Sequence, residues 1–537
     1  MIVRIDNKYY DFDDEAREEA WVKADFVNAG NGRTFVKPDN DNDRFRLSKS
    51  RYCSGVQCPK ILWLKKNKPE VFDDSVFNQA ILDTGNEVGD LAMGLFGDYT
   101  EVPFNNDLTK MLYDTEDLLK KGVKVIAEAS FSYKGLFCSV DILKNLGDDH
   151  VKIYEVKSAT SVHDPNQHDV AFQNYVLKQL GFEVDGVYIV HLNNQYIRHG
   201  DLDIQQLFTI EDMTETADSL YFNVEMTISE LRTYLEKTEE PAKPISMSCL
   251  KPYECGFWKY CTDYLPKPNA FDLVGVHKDK MFKCIENGKK SFEELLSEGE
   301  VIKEKAIQQI LHEINDLPPE IDKGAIKRFL GELKYPMYFL DFETFNPAIP
   351  MYDNTKPYEQ ICFQYSLHYI EQEGGELKHK EFLAYPGKDP RRELAERLCE
   401  DIPLGVCTLA YNMGFEKTVI NKLAGLYPDL AAHLMDIHIN IKDLMVPFRD
   451  RKYYCRLMKG YYSIKYVLPA LFPDDPALDY HNLEGVHNGS EASATFLRMD
   501  KMNDEELEAF RGHLLKYCGL DTYAMVKVWQ KLNEVSE

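Results

Sequence analysis

The sequence has no long apolar run. Its 537 residues include no stretch near the roughly 20 apolar residues that a transmembrane helix needs. The first segment, MIVRIDNKYYDFDDEAREEA, also lacks the basic and apolar regions of a secretory signal peptide. We therefore expect a cytoplasmic protein that does not use a membrane as a partner.

Positive charge is also scarce. The chain carries 63 lysines and arginines against 89 aspartates and glutamates, a net charge of −26. Broad nonspecific attraction to nucleic acid usually requires a basic surface, so this balance argues against it. It leaves room for a local basic groove and for acidic side chains gathered around metal ions.

The length allows about three domains. Composition and periodicity predict an acidic lead-in over residues 1–46, a first domain over 47–265, a helical connector over 266–334 and a second domain over 335–537. In both domains strand patterns lead into helix patterns, which indicates the α/β class, and for the second domain we expect a mixed sheet.

The first domain opens with LSKSRYCSGVQCPKILWL, in which Ser48 is placed to cap a helix. Three strand patterns follow between residues 123 and 156 and predict an antiparallel series. We place Asp141 at the end of the second strand and Glu155 and Lys157 on one face of the third. The next helix carries Gln173.

This set has a definite chemistry. Two carboxylates, Asp141 and Glu155, with the Val156 carbonyl would hold Mg²⁺ against a phosphate, and Lys157 would orient the attacking water. A Glu-x-Lys pair on a strand is common by chance. An upstream aspartate, an acidic helix before it and a glutamine-bearing helix after it favour the functional interpretation.

The cysteines lack the two-residue spacing of zinc knuckles. Cys249, Cys255 and Cys261 are separated by five residues each, a spacing that an iron–sulfur cubane tolerates better than zinc does. A [4Fe-4S] cluster needs a fourth thiolate, for which Cys58 is the natural candidate and Cys53 its competitor. Zn²⁺ and four simply buried cysteines are the alternatives. The remaining cysteines are expected in the core: Cys138, Cys284, Cys362, Cys399, Cys407, Cys455 and Cys518.

Residues 47–265 resemble the RecB-type PD-(D/E)XK nucleases that carry an iron–sulfur cluster, including CRISPR-associated and AddB-like members. The likeness consists of one cysteine before the core, three after it, and D…E-V-K between them, with Gln173 on the following helix. It implies metal-dependent DNA cleavage with the cluster as a staple. Where many of those enzymes have a helix histidine four residues after a glycine, Gly85 is followed by Gly89. Glu87 or Asp90 is the candidate substitute ligand.

The second domain begins with the strand MYFLDFETF, residues 337–345. Asp341 and Glu343 are two apart on a strand and point the same way, so they are candidate metal ligands. The alternative is a strand end with two solvated acids. Further along, Glu416 lies where a strand gives way to a helix, and Tyr517 and Asp521 are one helical turn apart.

These residues resemble the three motifs of the DEDD exonucleases of the ribonuclease H-like superfamily (the DnaQ and RNase D types). They are D-F-E-T at 341–344, Y-N-M-G-F-E at 411–416 and Y-x-x-x-D at 517–521. The resemblance implies two Mg²⁺ or Mn²⁺ ions, about 4 Å apart, with Tyr517 orienting the water. The four ligands would be Asp341, Glu343, Glu416 and Asp521. As a whole, the chain resembles a bacterial family that joins the two nuclease modules.

The sequence therefore predicts a metal-dependent nuclease acting on DNA more readily than RNA. The second domain would be a 3′–5′ exonuclease, and the first would supply a RecB-like centre. The alternative is a nucleic-acid-binding or assembly scaffold with one or both centres inactive. The absent helix histidine, the glutamate in the second DEDD motif and the acidic charge favour this alternative.

Overall fold

The computed structural model describes residues 47–76, 79–297 and 303–537, and the backbone of four short strands before residue 47. The strands β1 to β4 form two antiparallel pairs, β1 with β2 and β3 with β4. Their bounds are Ile2–Ile5, Lys8–Asp11, Asp25–Ala29 and Gly32–Val36. The rest of the predicted acidic lead-in, residues 1–46, lies outside the described residues.

The chain forms two compact units. The first unit contains Met1–Tyr264 and Ala348–Tyr358, and the second contains Leu265–Pro347 and Glu359–Glu537. The boundary at Tyr264 lies next to the predicted one at residue 265. Residues 266–334, predicted as a separate connector, belong to the second unit, and 348–358 belong to the first.

The first unit is built on a seven-stranded mixed sheet of order β11-β10-β9-β8-β7-β6, with β5 paired to β8. The predicted antiparallel series is confirmed as β7, β8 and β9. The sheet strands, β5 to β11, are Leu47–Ser48, Thr100–Glu101, Val125–Tyr133, Leu136–Gly147, His150–Lys157, Glu183–Leu192 and Phe208–Asp212.

Helices pack on this sheet and connect its strands. The helix Asp164–Gln179 links β9 to β10, which run parallel and therefore require such a crossover. Its central residues, from Val170 to Leu177, are all buried. The helices of this unit, α1 to α9, are Lys49–Gln57, Pro59–Asn67, Gln79–Met93, Leu108–Lys120, Asp164–Gln179, Ile204–Leu207, Thr214–Ser219, Tyr221–Leu235 and Trp258–Thr262.

The start of α1 is fixed as the sequence predicts. The Ser48 hydroxyl accepts a hydrogen bond from the Arg51 amide, which satisfies one of the free N–H groups at a helix start. Pro59 occupies the first turn of α2, where its missing N–H costs nothing. Cys58 lies between the two helices and is buried.

The position of Asp141 was predicted wrongly. It lies in the middle of β8, which continues to Gly147, and not at the strand's end. The cause is the length of the pairing with β9, which extends along β8 from Ile142 to Gly147.

The second unit contains a five-stranded mixed sheet of order β15-β14-β13-β16-β17. Strand β13 runs antiparallel to β14 and parallel to β16, as the mixed-sheet prediction requires. A two-stranded pairing, β12 with β18, accompanies the sheet. The strands, β12 to β18, are Glu320–Ile321, Met337–Phe345, Ile361–Ile370, Lys378–Leu383, Cys407–Ala410, Ile441–Asp443 and Tyr453–Tyr454.

The last helix of the chain, Asp504–Ser536, is 33 residues long and begins with a capping box between Asn503 and Glu506. Within the described ranges, no helix is both long and apolar enough to cross a membrane. The helices of this unit, α10 to α20, are Lys278–Glu286, Phe292–Ser297, Glu304–Asn315, Lys323–Leu330, Arg391–Asp401, Gly414–Leu426, Ala431–Asn440, Val446–Arg449, Ile464–Leu471, Gly489–Arg498 and Asp504–Ser536.

Candidate functional site

Three carboxylates of the second unit converge. Asp341 and Glu343 lie on β13, and Asp521 lies on α20, which packs against the same strand. Each offers an oxygen, and these three oxygens all lie within 4.8 Å of one another. Among the described residues, this is the one group of three or more His, Cys, Asp or Glu ligand atoms that is so close.

Two of these three acids, Glu343 and Asp521, are buried. β13 is the middle strand of its sheet, so its apolar residues are covered on both sides. Glu343 is 7% exposed and Asp521 is 9% exposed, while Asp341 is half-buried. Buried carboxylates of like charge are costly unless protons or a cation compensate them.

Glu416 is the fourth predicted ligand, and it lies in the first turn of α15 with 2% exposure. Its Oε2 atom is buried and has no hydrogen-bond partner. Its charge raises the pKa of Asp341, so it lies close enough to interact with the trio. An unpartnered buried carboxylate oxygen beside three other acids fits a divalent cation.

The pKa values of all four acids are raised. Burial is the largest cause for each, and it raises the pKa of Glu343 and Glu416 to about 8. The pKa of Asp341 also rises well above its usual value, because Asp521, Glu343 and Glu416 repel its negative charge. Without a cation, protons therefore compensate part of the charge.

Two tyrosines face Asp521. Tyr480 donates a hydrogen bond of 2.6 Å from its hydroxyl to Oδ1 of Asp521. Tyr517, the predicted water-orienting residue, is buried one helical turn from Asp521, and the two tyrosine rings are 6.0 Å apart. Hydrogen bonds from both hydroxyls oppose the rise that burial imposes on the pKa of Asp521, which is about 6. Tyr480 was missed because no motif includes it.

A cavity of about 670 Å³ opens beside Glu343. Its lining includes Phe415, half-buried, and Lys465, exposed. The positive charge of Lys465 lowers the pKa of both Glu343 and Asp521, against the larger effect of burial. The other polar lining residues are Thr344, Asn488 and Ser490. The acidic cluster therefore borders an accessible cavity, and the Lys465 ammonium lies at the edge of that cavity.

In the first unit, the structure brings together the predicted Asp141, Glu155, Lys157 and Gln173. Glu155 Oε1 accepts from Lys157 Nζ at 2.8 Å, and Oε2 accepts from Gln173 Nε2 at 2.7 Å. The backbone N–H of Val156 donates to Asp141 Oδ2 at 2.7 Å.

Lys49 and Asp169 also belong to this cluster and were not predicted. Lys49 Nζ donates to Oε1 and Oε2 of Glu155 at 2.7 and 2.8 Å. Asp169 Oδ2 accepts from Lys157 Nζ at 2.7 Å. Burial alone would raise the pKa of Glu155, but the ammonium groups of Lys157 and Lys49 hold it at about 2.

Glu128 is the additional acid near Asp141. Burial raises its pKa to about 8, and Asp141 adds to the rise. Its backbone adopts a φ of 55°, which is uncommon for a residue with a Cβ inside a strand. Glu87, one of the two candidate substitute ligands, has an exposed side chain. Among the described residues, Glu87, Asp141 and Glu155 do not form a group whose ligand oxygens all lie within 4.8 Å of one another.

The four cysteines predicted to hold a cluster lie near one another. The pKa of Cys255 is raised to about 11, first by burial and then by the neighbouring Cys249, Cys58 and Cys261. In the described part of the chain, no three thiols come within 4.8 Å of each other.

Cys53, the competitor of Cys58, lies elsewhere in the first unit. Its thiol donates to Oδ1 of Asp169 at 3.0 Å, which places it beside the Glu155 cluster. Of the two candidates, Cys58 is therefore the one that joins Cys249, Cys255 and Cys261.

The comparisons with known proteins match part of the chain. A family model described as "Domain of unknown function (DUF2779)" matches residues 338–463, which include Asp341, Glu343 and Glu416. "Uncharacterized protein UU173" of Ureaplasma parvum serovar 3 is 26% identical to this chain over 250 residues, which are 43% of this chain and 36% of that protein. "Uncharacterized protein MG366" of Mycoplasma genitalium is 22% identical over 409 residues, which are 66% of this chain and 60% of that protein. The chain thus spans less than two thirds of either relative. No solved structure gives a significant match.

Proposed function

We propose that this protein is a metal-dependent nuclease whose main catalytic centre lies in the second unit. The observation that carries the proposal is the convergence of Asp341, Glu343 and Asp521, whose ligand oxygens lie within 4.8 Å. Asp521 lies 180 positions after Asp341 and 178 after Glu343 in the sequence. Burying like-charged carboxylates side by side is costly unless a cation or protons compensate their charge.

Oxygen ligands of this kind suit Mg²⁺ or Mn²⁺. Asp341, Glu343 and Asp521 would hold the metal, and Glu416 would add the ligand that now lacks a partner. A bound divalent cation supplies a nucleophilic water of lowered pKa and stabilises charge on a phosphate. This choice follows the likeness of the three motifs to the DEDD exonucleases.

The chain's own residues have separate tasks in this proposal. Tyr517 orients the attacking water, and Tyr480 holds the carboxylate of Asp521 in place through its 2.6 Å hydrogen bond. Lys465 faces the cavity next to Glu343, where its ammonium binds a backbone phosphate. Phe342 and Phe345 are 3% and 1% exposed, so they pack in the core and are not available for base stacking.

The substrate we propose is DNA, cleaved from its 3′ end. The test uses the full chain with fresh Mg²⁺ or Mn²⁺ on single- and double-stranded DNA and on RNA, each labelled at one end. We expect stepwise shortening of a DNA substrate, and Asp341→Asn to lower the rate by more than about 100-fold. Glu381→Gln, an exposed acid on the edge strand of the same sheet, is the matched control and should leave the rate unchanged.

The proposal fails if all labelled substrates stay intact under these conditions. It also fails if Asp341→Asn cleaves as fast as the unmodified chain. Shortening of RNA alone would leave the catalytic assignment in place and change the substrate.

For the first unit, the resemblance implies a RecB-like nuclease centre at Asp141, Glu155 and Lys157, with a [4Fe-4S] cluster on its four cysteines. The alternative, a nucleic-acid-binding or assembly module with an inactive centre, is favoured by the four hydrogen bonds that Glu155 accepts. If this centre were active, Lys157→Ala would remove a second cleavage activity that Asp341→Asn leaves intact.

A further inference from the structure

The carboxylate of Glu155 has no lone pair left for a metal ion. It accepts two hydrogen bonds from Lys49, one from Lys157 and one from Gln173. A carboxylate offers about four lone-pair directions, so these donors use them all. A cation could bind this side chain only after displacing one of them.

Lys49 is the donor that stands outside the nuclease motif. It is the first residue of α1 and lies 106 positions before Glu155 in the sequence. Its side chain is only 13% exposed, so its ammonium faces protein groups and not solvent. Its charge also favours the ionised forms of Asp141 and Glu128.

A buried ammonium group and a divalent cation can each compensate the negative charge of buried carboxylates. Acids as deeply buried as Glu155, 2% exposed, need a positive partner in contact. Here Lys49 and Lys157 together supply two positive charges to Glu155 and Asp169. Adding a divalent ion to this arrangement would place it against two ammonium groups.

We propose that the Lys49 ammonium takes the place of the divalent cation at the centre of the first unit, which is therefore a metal-free charge cluster. The inference concerns a different set of residues from the nuclease centre of the second unit and stands independently of it. It assigns Lys49 as the residue that keeps Mg²⁺ and Mn²⁺ out.

The experiment counts Mn²⁺ bound to the full chain, from the loss of the free-ion signal in electron paramagnetic resonance. The starting variant is Asp341→Asn with Asp521→Asn, which removes two of the four carboxylates that we assign to the metal site of the second unit and so weakens Mn²⁺ binding there. Asp141→Asn is then added, with Lys49 either kept or replaced by methionine. Lys49→Arg is a conservative variant that keeps the positive charge.

With Lys49 or Lys49→Arg, we expect the same number of bound Mn²⁺ ions whether residue 141 is aspartate or asparagine. Lys49→Met should add one Mn²⁺ per chain, and Asp141→Asn should remove it again. Lys49→Met should also lower the midpoint of the first unit's thermal transition by about 5–10 °C, and Mn²⁺ should restore it.

Two results would overturn the inference. One is a Mn²⁺ ion that binds while Lys49 is present and is lost with Asp141→Asn. The other is a folded Lys49→Met variant that gains no Mn²⁺. If Lys49→Met does not fold, the chains with Lys49 or Lys49→Arg still test the inference. A bound Mn²⁺ that these chains lose with Asp141→Asn contradicts it, and an equal number of bound Mn²⁺ ions with and without Asp141→Asn supports it.

Discussion

The hydroxyl of Tyr480 donates a 2.6 Å hydrogen bond to Oδ1 of Asp521, although the two residues are 41 positions apart. Tyr480 lies in a short 3₁₀ turn, Tyr480–Asn482, and Asp521 lies on the last helix. The bond fixes the direction of a carboxylate that we assign to the metal site. Residues that orient a ligand in this way affect metal affinity without touching the metal.

We therefore expect Tyr480→Phe to weaken Mn²⁺ binding to the second unit by about 10- to 100-fold. The phenyl ring fills the same space, so the loss reports the hydrogen bond and not a cavity. The measurement is a Mn²⁺ titration of the full chain, with the rate of DNA shortening at saturating Mn²⁺ as a second readout.

The matched control for this variant is Tyr365→Phe. The Tyr365 hydroxyl donates a 2.7 Å bond to Asp401, so it is also a buried tyrosine paired with an aspartate in the second unit. Asp401 lies outside the acidic trio. Equal losses of Mn²⁺ affinity in the two variants would mean that Tyr480 has no specific part in the site.

Lys465 gives a prediction about substrate binding. Its ammonium lies at the cavity beside Glu343 and is exposed. We expect Lys465→Met to raise KM for DNA about 5- to 10-fold. This fold-change corresponds to the loss of about 1 to 1.5 kcal/mol, the usual contribution of one charged contact to a phosphate. Lys501→Met, an exposed lysine of the same unit outside the cavity lining, is the control. An unchanged KM and salt dependence in Lys465→Met would remove this residue from the substrate path.

The raised pKa values predict how stability varies with pH in metal-free protein. Glu343 and Glu416 have a folded-state pKa of about 8, against about 4.3 for an unfolded glutamate. Between these values the folded state holds protons that the unfolded state has released. Each group therefore lowers the free energy of unfolding by about 1.4 kcal/mol per pH unit as the pH rises from about 5 to 8.

The measurement is urea unfolding of the metal-free chain at several pH values. Glu343→Gln removes one titrating group while keeping its shape, so its urea midpoint should fall less steeply with pH than that of the unmodified chain. Parallel slopes for the two proteins would show that Glu343 is already ionised in the folded state. Because other groups titrate as well, the difference between the two proteins is the relevant quantity.

Local pattern was enough to predict much of the fold. The Ser48 cap, the β7 to β9 series and the strand carrying Asp341 and Glu343 depend on near neighbours in the sequence, and all three are confirmed. For the same reason, Asp341 and Glu343, two apart on a strand, could be assigned to one face. So could Tyr517 and Asp521, four apart on a helix.

The missed residues depend on tertiary packing. Lys49 is 106 positions from Glu155, and Tyr480 reaches Asp521 from a short turn with no repeating pattern. A single sequence carries no periodic signal for such meetings. Asp141 was misplaced for a related reason, since the length of β8 is set by its pairing with β9 and not by its own residues.

Two cysteines, one within α1 and one directly after it, allow a final prediction. Cys58 follows α1 and neighbours Cys249, Cys255 and Cys261, while Cys53 within α1 donates to Asp169. Cys58→Ser should lose bound iron and the visible thiolate-to-iron absorbance in anaerobically purified protein, because a cubane needs four thiolates. Cys53→Ser should keep both, since a serine hydroxyl can still donate to Asp169. Zinc in place of iron, or equal iron content in the two variants, would contradict a cluster at Cys58.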